Sequence, residues 1–551
     1  MLDRFMEPRS SEPRQLLRAA AFLCALLAVL LWTGPILWRT DLYVNDAAQH
    51  TFWLYRYADP GLFPDDLTVR FFGLLASAPV GYRTLYALLA PHLDVLTAGE
   101  WLSALQLALS LLLAWAIGAR TAGEGRTELG GLLGVTLAAW LVGQGSDIAT
   151  PLALQRSFAM PITLFFLWSL LTRRFALVGV SWLLAALFYP VIIVVLGLAG
   201  AAFFIAEIVR ERRLPRAALW NIAAGIAALA IVIVSSRLPP DIGPAIKGAE
   251  AMAMPEFGDH GRVRLYFGGF VNDWLRSQLM GLGWSPRVLA VIVLACVLTV
   301  VSRAQRIPRA AWYLLGCGLA VWLVAHFTLF DLYLPNRHSR WSIAAFAIAA
   351  IPCAAAALAN RMRVRQVPLS AAAIALSFAA ILWALLPQAM AHVHRPVNRD
   401  MENVYRYLSM TPKGTRILAH PDVADFIPLR AQRSVVASTE TALPFMRGYY
   451  RSLIPRLNDS LRAAYAADWK SVDEIARRYG ATLAVTAPEV WSESHYYEPY
   501  DALVQSLRVA GRGHFVLEHP SADRVLYRSG DVYVVRVGDR AGAAGDGAQA
   551  Q

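Results

Sequence analysis

Long apolar stretches separated by short arginine clusters dominate this chain and leave it few ways to fold. The clusters are Arg173-Arg174, Arg210 to Arg216, Arg303 to Arg309 and Arg361 to Arg365. About 20 apolar residues cross a bilayer as a helix, and several runs here approach or exceed that. A segment in lipid must satisfy its own backbone, so these runs are predicted to be helices. Composition agrees. Apolar residues make up 57% of the 551 and charged residues 16%, with a mean hydropathy of +0.44. Soluble domains hold roughly 45–50% apolar and about 25% charged residues. A polytopic α-helical membrane protein follows.

Charge orients it. The formal charge of +12 is not gathered into one soluble basic face, as a nucleic-acid partner would require. It is divided among loops, the pattern of cytoplasmic loops in a membrane protein. The N-terminus carries Arg4, Arg9, Arg14 and Arg18 ahead of an apolar run from about Leu17 to Trp38. No small-residue cleavage signature closes that run, so it reads as a retained first helix with a cytoplasmic N-terminus. Further spans are expected at Trp101–Ile117, Leu129–Val142, Phe158–Leu171, Leu219–Val234, Val288–Val301, Trp312–Phe330, Trp341–Ala359 and Leu369–Leu386. The stretch Phe175–Ile208 is too long for one untilted helix and holds Tyr189-Pro190 at its middle, which predicts a two-helix hairpin. Tyr82–Leu89 is too short to span. About eleven spans result. The basic loops then fall on one side, and Asp46, Asp147, Asp241 to Asp273 and Asp331 fall on the other.

Cys24, Cys296, Cys317 and Cys353 all lie in apolar runs, without a CxxC pair, so neither a disulfide framework nor a zinc site is indicated. From about residue 391 the composition becomes that of a soluble α/β domain, continuing to about residue 540 and followed by a tail at 541–551 with the composition of disorder. Arg416–Ala419, Ser434–Ala437 and Thr482–Thr486 read as strands, Ser471–Tyr479 as a helix, and Val525–Val537 as a hairpin turning at Ser529-Gly530-Asp531. The domains expected are 1–390 in the membrane and 391–540 outside it.

Three polar stretches on the non-cytoplasmic side could carry chemistry. Asn45-Asp46-Ala47-Ala48-Gln49-His50 follows the first span, with aromatic residues and Arg56 behind it. Helical spacing would bring Asp46, Gln49 and His50 to one face. A carboxylate there could act as a base, and Arg56 could neutralise a phosphate; a helix cap backed by an aromatic belt is the plainer reading. Asp147 precedes Gln155-Arg156-Ser157, where Arg156 could reach an anionic lipid or simply snorkel. The third stretch, Asp331 to Arg340, keeps Arg337, His338 and Arg340 on the side where basic residues are otherwise scarce. That exception suggests a bound phosphate or pyrophosphate. The long loop Arg237–Ser285 is expected to cover a site. No phosphate-loop, serine-elbow or zincin motif occurs.

In these stretches the chain resembles the GT-C superfamily of membrane glycosyltransferases, which includes the protein mannosyltransferases and aminoarabinose lipid A transferases. The resemblance rests on the Asp46 loop after the first span, Asp147 in the next external loop, about eleven spans and a C-terminal α/β domain. The stretches Asp46–His50, Arg156–Pro161 and Leu334–His338 also look like those of a bacterial branch of such proteins. The resemblance implies an inverting hexosyl or pentosyl transfer from a polyprenyl-phosphate-linked sugar to an envelope glycan, lipid or protein, at the outer face of a bacterial inner membrane. It implies Asp46 as base or acceptor-orienting acid and Asp147 as a second acid. Arg337 or Arg340 would hold the donor phosphate, with His50, Arg56, Arg156 and His338 as further contacts. The family's paired acids are only partly matched. Asn45 precedes Asp46, and the pair Asp65-Asp66 comes later, after Pro64. The catalytic acid is therefore open between these, as is a divalent metal. The other readings are a lipid or polysaccharide flippase, which predicts charges within the spans and internal repeats, and a non-catalytic membrane protein with a partner-binding domain.

Overall fold

The computed structural model describes residues 12–38, 45–144, 150, 152–212, 217–269, 271–277, 279–302, 306–363, 366–395 and 397–538. Asp147 and the 541–551 tail lie outside the described residues. The helices before residue 396 are α1 (Glu12–Trp38), α2 (Asn45–His50), α3 (Leu67–Phe72), α4 (Val80–Leu89), α5 (Val95–Ala122), α6 (Thr127–Gly143), α7 (Ala159–Leu171), α8 (Phe175–Phe188), α9 (Ile193–Glu211), α10 (Ala218–Ser235), α11 (Gly248–Ala253), α12 (Pro286–Ser302), α13 (Arg309–Phe327), α14 (Asn336–Arg361) and α15 (Gln366–His394). Each apolar run expected to span is helical, and Phe175–Ile208 does break at Tyr189-Pro190 into α8 and α9. Among the described residues, seven helices are long and apolar enough to cross a membrane; α6, α8 and α12 are apolar but shorter. The chain is a multi-pass membrane protein.

Small residues let these helices approach one another. A Cβ on Gly118 of α5 would lie 2.2 Å from the carbonyl oxygen of Gly130 on α6, and one on Gly134 would lie 2.2 Å from that of Ala114. Only glycine permits this backbone-to-backbone crossing, the packing that replaces the hydrophobic effect inside lipid. The axis of the bundle is α14, 83% buried over its most apolar window against 22% for α10 at the periphery. Its run of alanines (Ala344, Ala345, Ala347, Ala349, Ala350) is fully enclosed.

Polar links separate two ends of this bundle. At one, Arg18 pairs with Glu128 at 2.8 Å, Arg126 donates to Asn360, and Arg173 and Arg210 grip Glu207 and Glu211. This end collects the start of α1, the start of α6, the end of α14 and the end of α9. The start of α14 therefore lies at the other end, beneath the C-terminal part of the chain.

That part holds α16 (Arg399–Ser409), β1 (Arg416–Ala419), α17 (Pro421–Ala424), α18 (Ile427–Arg430), β2 (Ser434–Val435), α19 (Arg447–Ala464), α20 (Trp469–Tyr479), β3 (Leu483–Thr486), α21 (Glu489–Ser492), α22 (Asp501–Gly511), β4 (Val525–Ser529) and β5 (Val532–Arg536). The sheet order is β2-β1-β3-β5-β4, with β2, β1 and β3 parallel and β5 and β4 antiparallel to their neighbours. Alternating side chains serve two cores. Ile417, Val485 and Val534 face α16, while Leu418, Ala484 and Val535 face α20. The expected strands, the helix and the hairpin are all present; α16, α19 and α22 were not expected.

The C-terminal part is not tethered by a linker alone. Tyr449 of α19 stacks on Phe71 of α3 with centroids 4.0 Å apart, a contact worth about 0.5–1.5 kcal/mol beyond its buried area. The backbone of the 237–285 loop pairs with the start of α19: Ile246 N–H donates to Phe445 O, Arg447 N–H to Pro244 O and Tyr449 N–H to Ile242 O, each at 3.0 Å. Arg447 also pairs with Glu250. The long loop thus joins bundle to C-terminal part.

Candidate functional site

Asp46 and His50 stand four residues apart on α2, one turn along the same face, as the spacing predicts. An Arg156 guanidinium nitrogen donates to the Asp46 carboxylate, forming an ion pair. Arg156 belongs to a single 3-10 turn, Gln155–Phe158, immediately before α7. The Arg156 side chain is 15% exposed and that of Asp46 36%. The arginine is thus held within the protein while part of the carboxylate faces solvent.

His50 lies at the centre of this group. Its Nδ1 is shielded from solvent without a hydrogen-bond partner, and its ring meets Phe72 edge-on, 5.7 Å between centroids. Burial lowers its pKa to about 4; Asp46 opposes that shift, and Arg156 and Arg337 reinforce it. The imidazole is therefore neutral at physiological pH, with one carboxylate and two guanidiniums in electrostatic reach. Three charged positions from 46 to 337 in sequence act on one imidazole.

Arg337, His338 and Arg340 had been placed in a loop ahead of a span from Trp341. The structure begins α14 five residues earlier, at Asn336, and encloses all three. The reason is the 279–284 loop, which closes over the first turn. Asn336 N–H donates to Leu279 O (3.2 Å) and Ser339 Oγ to Leu282 O (3.1 Å). Trp284 Nε1 donates to Arg340 O at 2.9 Å. Gly283, at φ +79°, lies against the Arg340 guanidinium; a Cβ there would stand 2.7 Å from Nε. Two guanidiniums at a helix N-terminus combine fixed charge with the positive end of the helix dipole. The His338 Nε2 is engaged 2.7 Å from Leu332 O, which ties that ring to the preceding turn. Asp331 lies on the surface, paired with Lys247 at 2.6 Å.

Arg56 goes elsewhere. It lines a separate cavity of about 760 Å³ with Trp53, Tyr57, Asp65, Asp66, Arg70, Arg83 and Arg456, and none of Asp46, His50, Arg156 or Arg337 borders it. The acidic pair has a structural duty as well. Asp66 is the N-cap of α3, accepting from Thr68 N–H at 2.8 Å and Val69 N–H at 3.2 Å. Among the described residues no group of three or more His, Cys, Asp or Glu is placed to hold a metal ion.

Sequence reasoning missed what fixes α2. Gln49 Nε2 donates to Glu440 Oε2 at 2.6 Å, and Arg262 of the long loop pairs with the same carboxylate oxygen at 3.1 Å. Arg262 also donates to Ala442 O (3.0 Å), and Glu440 N–H donates to the half-buried Asp425 at 2.7 Å. The residue adjoining His50 is therefore bolted to the C-terminal part. A contact spanning 391 residues leaves no local trace in the sequence.

No family model and no curated protein matches the chain. Among solved structures, the apo oligosaccharyltransferase of Archaeoglobus fulgidus matches at TM-score 0.47 and 10% identity, over 88% of this chain and 70% of that one. The same enzyme with Zn and sulfate matches at 0.46 and 12%, over 90% and 70%. Its complex with an inhibitory peptide and a dolichol-phosphate matches at 0.32 and 13%, over 91% and 61%. All these scores lie below 0.5, and the function of the present chain must be argued from its own residues.

Proposed function

We propose that this protein is a membrane glycosyltransferase of the GT-C type. It moves a sugar from a polyprenyl-phosphate to an acceptor hydroxyl of the cell envelope at the outer face of a bacterial inner membrane. The observation that carries this is the convergence of Asp46, His50, Arg156 and Arg337 at the end of the bundle covered by the C-terminal part. A lipid-linked donor places its phosphate at head-group depth, and arginines are the side chains suited to hold it there.

In this reading the acceptor oxygen attacks the anomeric carbon as the carbon–oxygen bond to phosphate breaks. The acceptor proton passes to Asp46, and the polyprenyl phosphate leaves with the electron pair, its charge met by Arg337 and Arg340. The attack comes from the face opposite the leaving group, so the anomeric configuration inverts. Arg156, paired with the Asp46 carboxylate, keeps it aimed. Neutral His50 adds no further positive charge beside the arginines. Eleven spans, a cytoplasmic N-terminus and an extracytoplasmic C-terminal domain from about residue 391 complete the picture, with Asp147 as the second acid. The test is sugar transfer by purified protein in nanodiscs, with radiolabelled polyprenyl-phosphate sugars and envelope acceptors. Asp46→Asn should abolish transfer with folding intact; full activity of that variant would remove Asp46 from its role.

A further inference from the structure

The cavity that holds Arg56 is unlike the rest of the surface. Four guanidiniums reach it from four separate elements: Arg56 from the 3-10 turn Phe52–Tyr57, Arg70 from α3, Arg83 from α4 and Arg456 from α19. Its volume, about 760 Å³, falls within the roughly 300–1,000 Å³ of pockets that enclose small organic ligands. Among the described residues, no lining residue comes from a helix long and apolar enough to cross a membrane.

Its positive charge is offset only in part, since Asp65 and Asp66 line the cavity beside the four guanidiniums. Arg70 pairs with Asp241 at 2.5 Å. Arg83 is spent on the Tyr57 hydroxyl (3.2 Å) and Gly73 O (2.6 Å). Asp66 lies among them but caps α3. Arg56 has no hydrogen bond or ion pair among the described residues and is exposed. Arg456 is half-buried, its pKa lowered by burial and by the neighbouring Arg416, with Asp66 opposing the shift. A cationic group held where both desolvation and a like charge oppose it is suited to an anion arriving from outside. Part of the wall is aromatic, with Trp53 buried at 4% exposure and Tyr57 half-buried. Trp53 and Tyr57 flank the arginines, with Arg83 5.7 Å from the centroid of the Trp53 ring. Guanidiniums for an acidic group beside flat rings for a sugar face make a combination for one ligand class.

We infer that this cavity binds an acidic saccharide, with Arg56 and Arg456 meeting a carboxylate or phosphate borne on the sugar and Trp53 and Tyr57 flanking the ring. Under the transferase reading this saccharide is the acceptor, or the part of it distant from the reacting hydroxyl; binding itself does not depend on that reading.

The test uses the full chain in phosphatidylcholine nanodiscs and measures binding directly by saturation-transfer NMR or calorimetry. The probes are cellobiose, its uronic-acid counterpart, a disaccharide phosphate and inorganic phosphate. At least one acidic disaccharide should bind ten times or more tighter than cellobiose, and Arg56→Ala should weaken it about tenfold, as expected on losing a charged hydrogen bond. Arg56→Lys should recover part of the loss, and Arg456→Gln should act like Arg56→Ala. Preference for the uronate or the phosphate names the acidic group. Equal binding of cellobiose, absence of binding by every disaccharide, or inorganic phosphate matching the sugar phosphate would overturn the inference. So would loss of saccharide binding when phosphatidylglycerol replaces phosphatidylcholine, which would give the cavity to lipid. Asp46→Asn should bind the acidic disaccharide as the unaltered chain does, so failure of the transferase reading and failure of this one are distinguishable.

Discussion

Two arginine-rich regions lie beneath and beside the C-terminal part, and they are built in opposite ways. Around His50, the guanidiniums of Arg156 and Arg337 are mostly covered and belong to elements that begin or precede helices of the bundle; Arg156 pairs with the partly open carboxylate of Asp46, and both arginines act on the imidazole. Around Arg56, the guanidiniums sit on short surface helices and on α19, line an open cavity, and keep aromatic rings for company. Covered charge near one acid suits a reacting centre, where electrostatic interactions strengthen as water is excluded. Open charge beside rings suits recognition. The difference is that between a place where bonds change and a place where a ligand is held.

Asp46→Asn should sharpen that distinction most. It should reduce kcat by about 10²–10⁴-fold, the usual worth of a positioned proton acceptor, while leaving saccharide binding and thermal unfolding unaltered. Arg337→Gln comes next, with kcat/KM for the lipid-linked donor down by about 10²–10³-fold, measured by initial rates over a donor series. If this variant impaired only acceptor use, the two regions would have exchanged roles. Glu440→Gln should act more mildly. It weakens the hold of Gln49 and Arg262 on α2, so kcat should fall about tenfold with little change in either KM, since misplacement of a reacting group costs rate. A change in acceptor KM alone would tie Glu440 to the cavity instead.

The smallest effect concerns pH. The pKa of His50 is about 4 in the folded chain, below about 6.5 for an unperturbed imidazole. Protons therefore bind the unfolded chain more readily, and the stability from burying the neutral ring is full above about pH 6.5 and is lost as pH falls towards 4. Its ceiling is about 3 kcal/mol, at about 1.4 kcal/mol per pKa unit, reduced by the partial exposure of the side chain. His50→Gln should flatten this part of the profile of unfolding temperature against pH. An unchanged difference between pH 7 and pH 4.5 would mean that His50 is not held as described. The buried His420, also lowered to about 4, contributes a background that both proteins share.

The bundle was legible because lipid demands long apolar runs. The α8–α9 break was announced by Tyr189-Pro190, and the hairpin of β4 and β5 by Gly530-Asp531. Asp46, His50, Arg156 and Arg337 were each visible as polar residues out of place. Their gathering was visible only in part, since charge distribution puts residues on one side of a membrane without placing them beside one another. The start of α14 was misplaced because arginines at a helix end look like loop residues until the 279–284 loop is seen to close over them. Arg56 was assigned to the wrong company for a similar reason. Six residues from His50, it follows a change of helix type that turns it into another cavity. The Glu440 anchor and Arg456 could not be read at all, because their partners lie hundreds of residues away.

The most direct test is a structure of the full chain in nanodiscs with a polyprenyl phosphate bound. The account predicts the phosphate at the first turn of α14, within hydrogen-bond distance of the Arg337 guanidinium and on the side facing Asp46. A phosphate lodged among Arg56, Arg70 and Arg456 would contradict it.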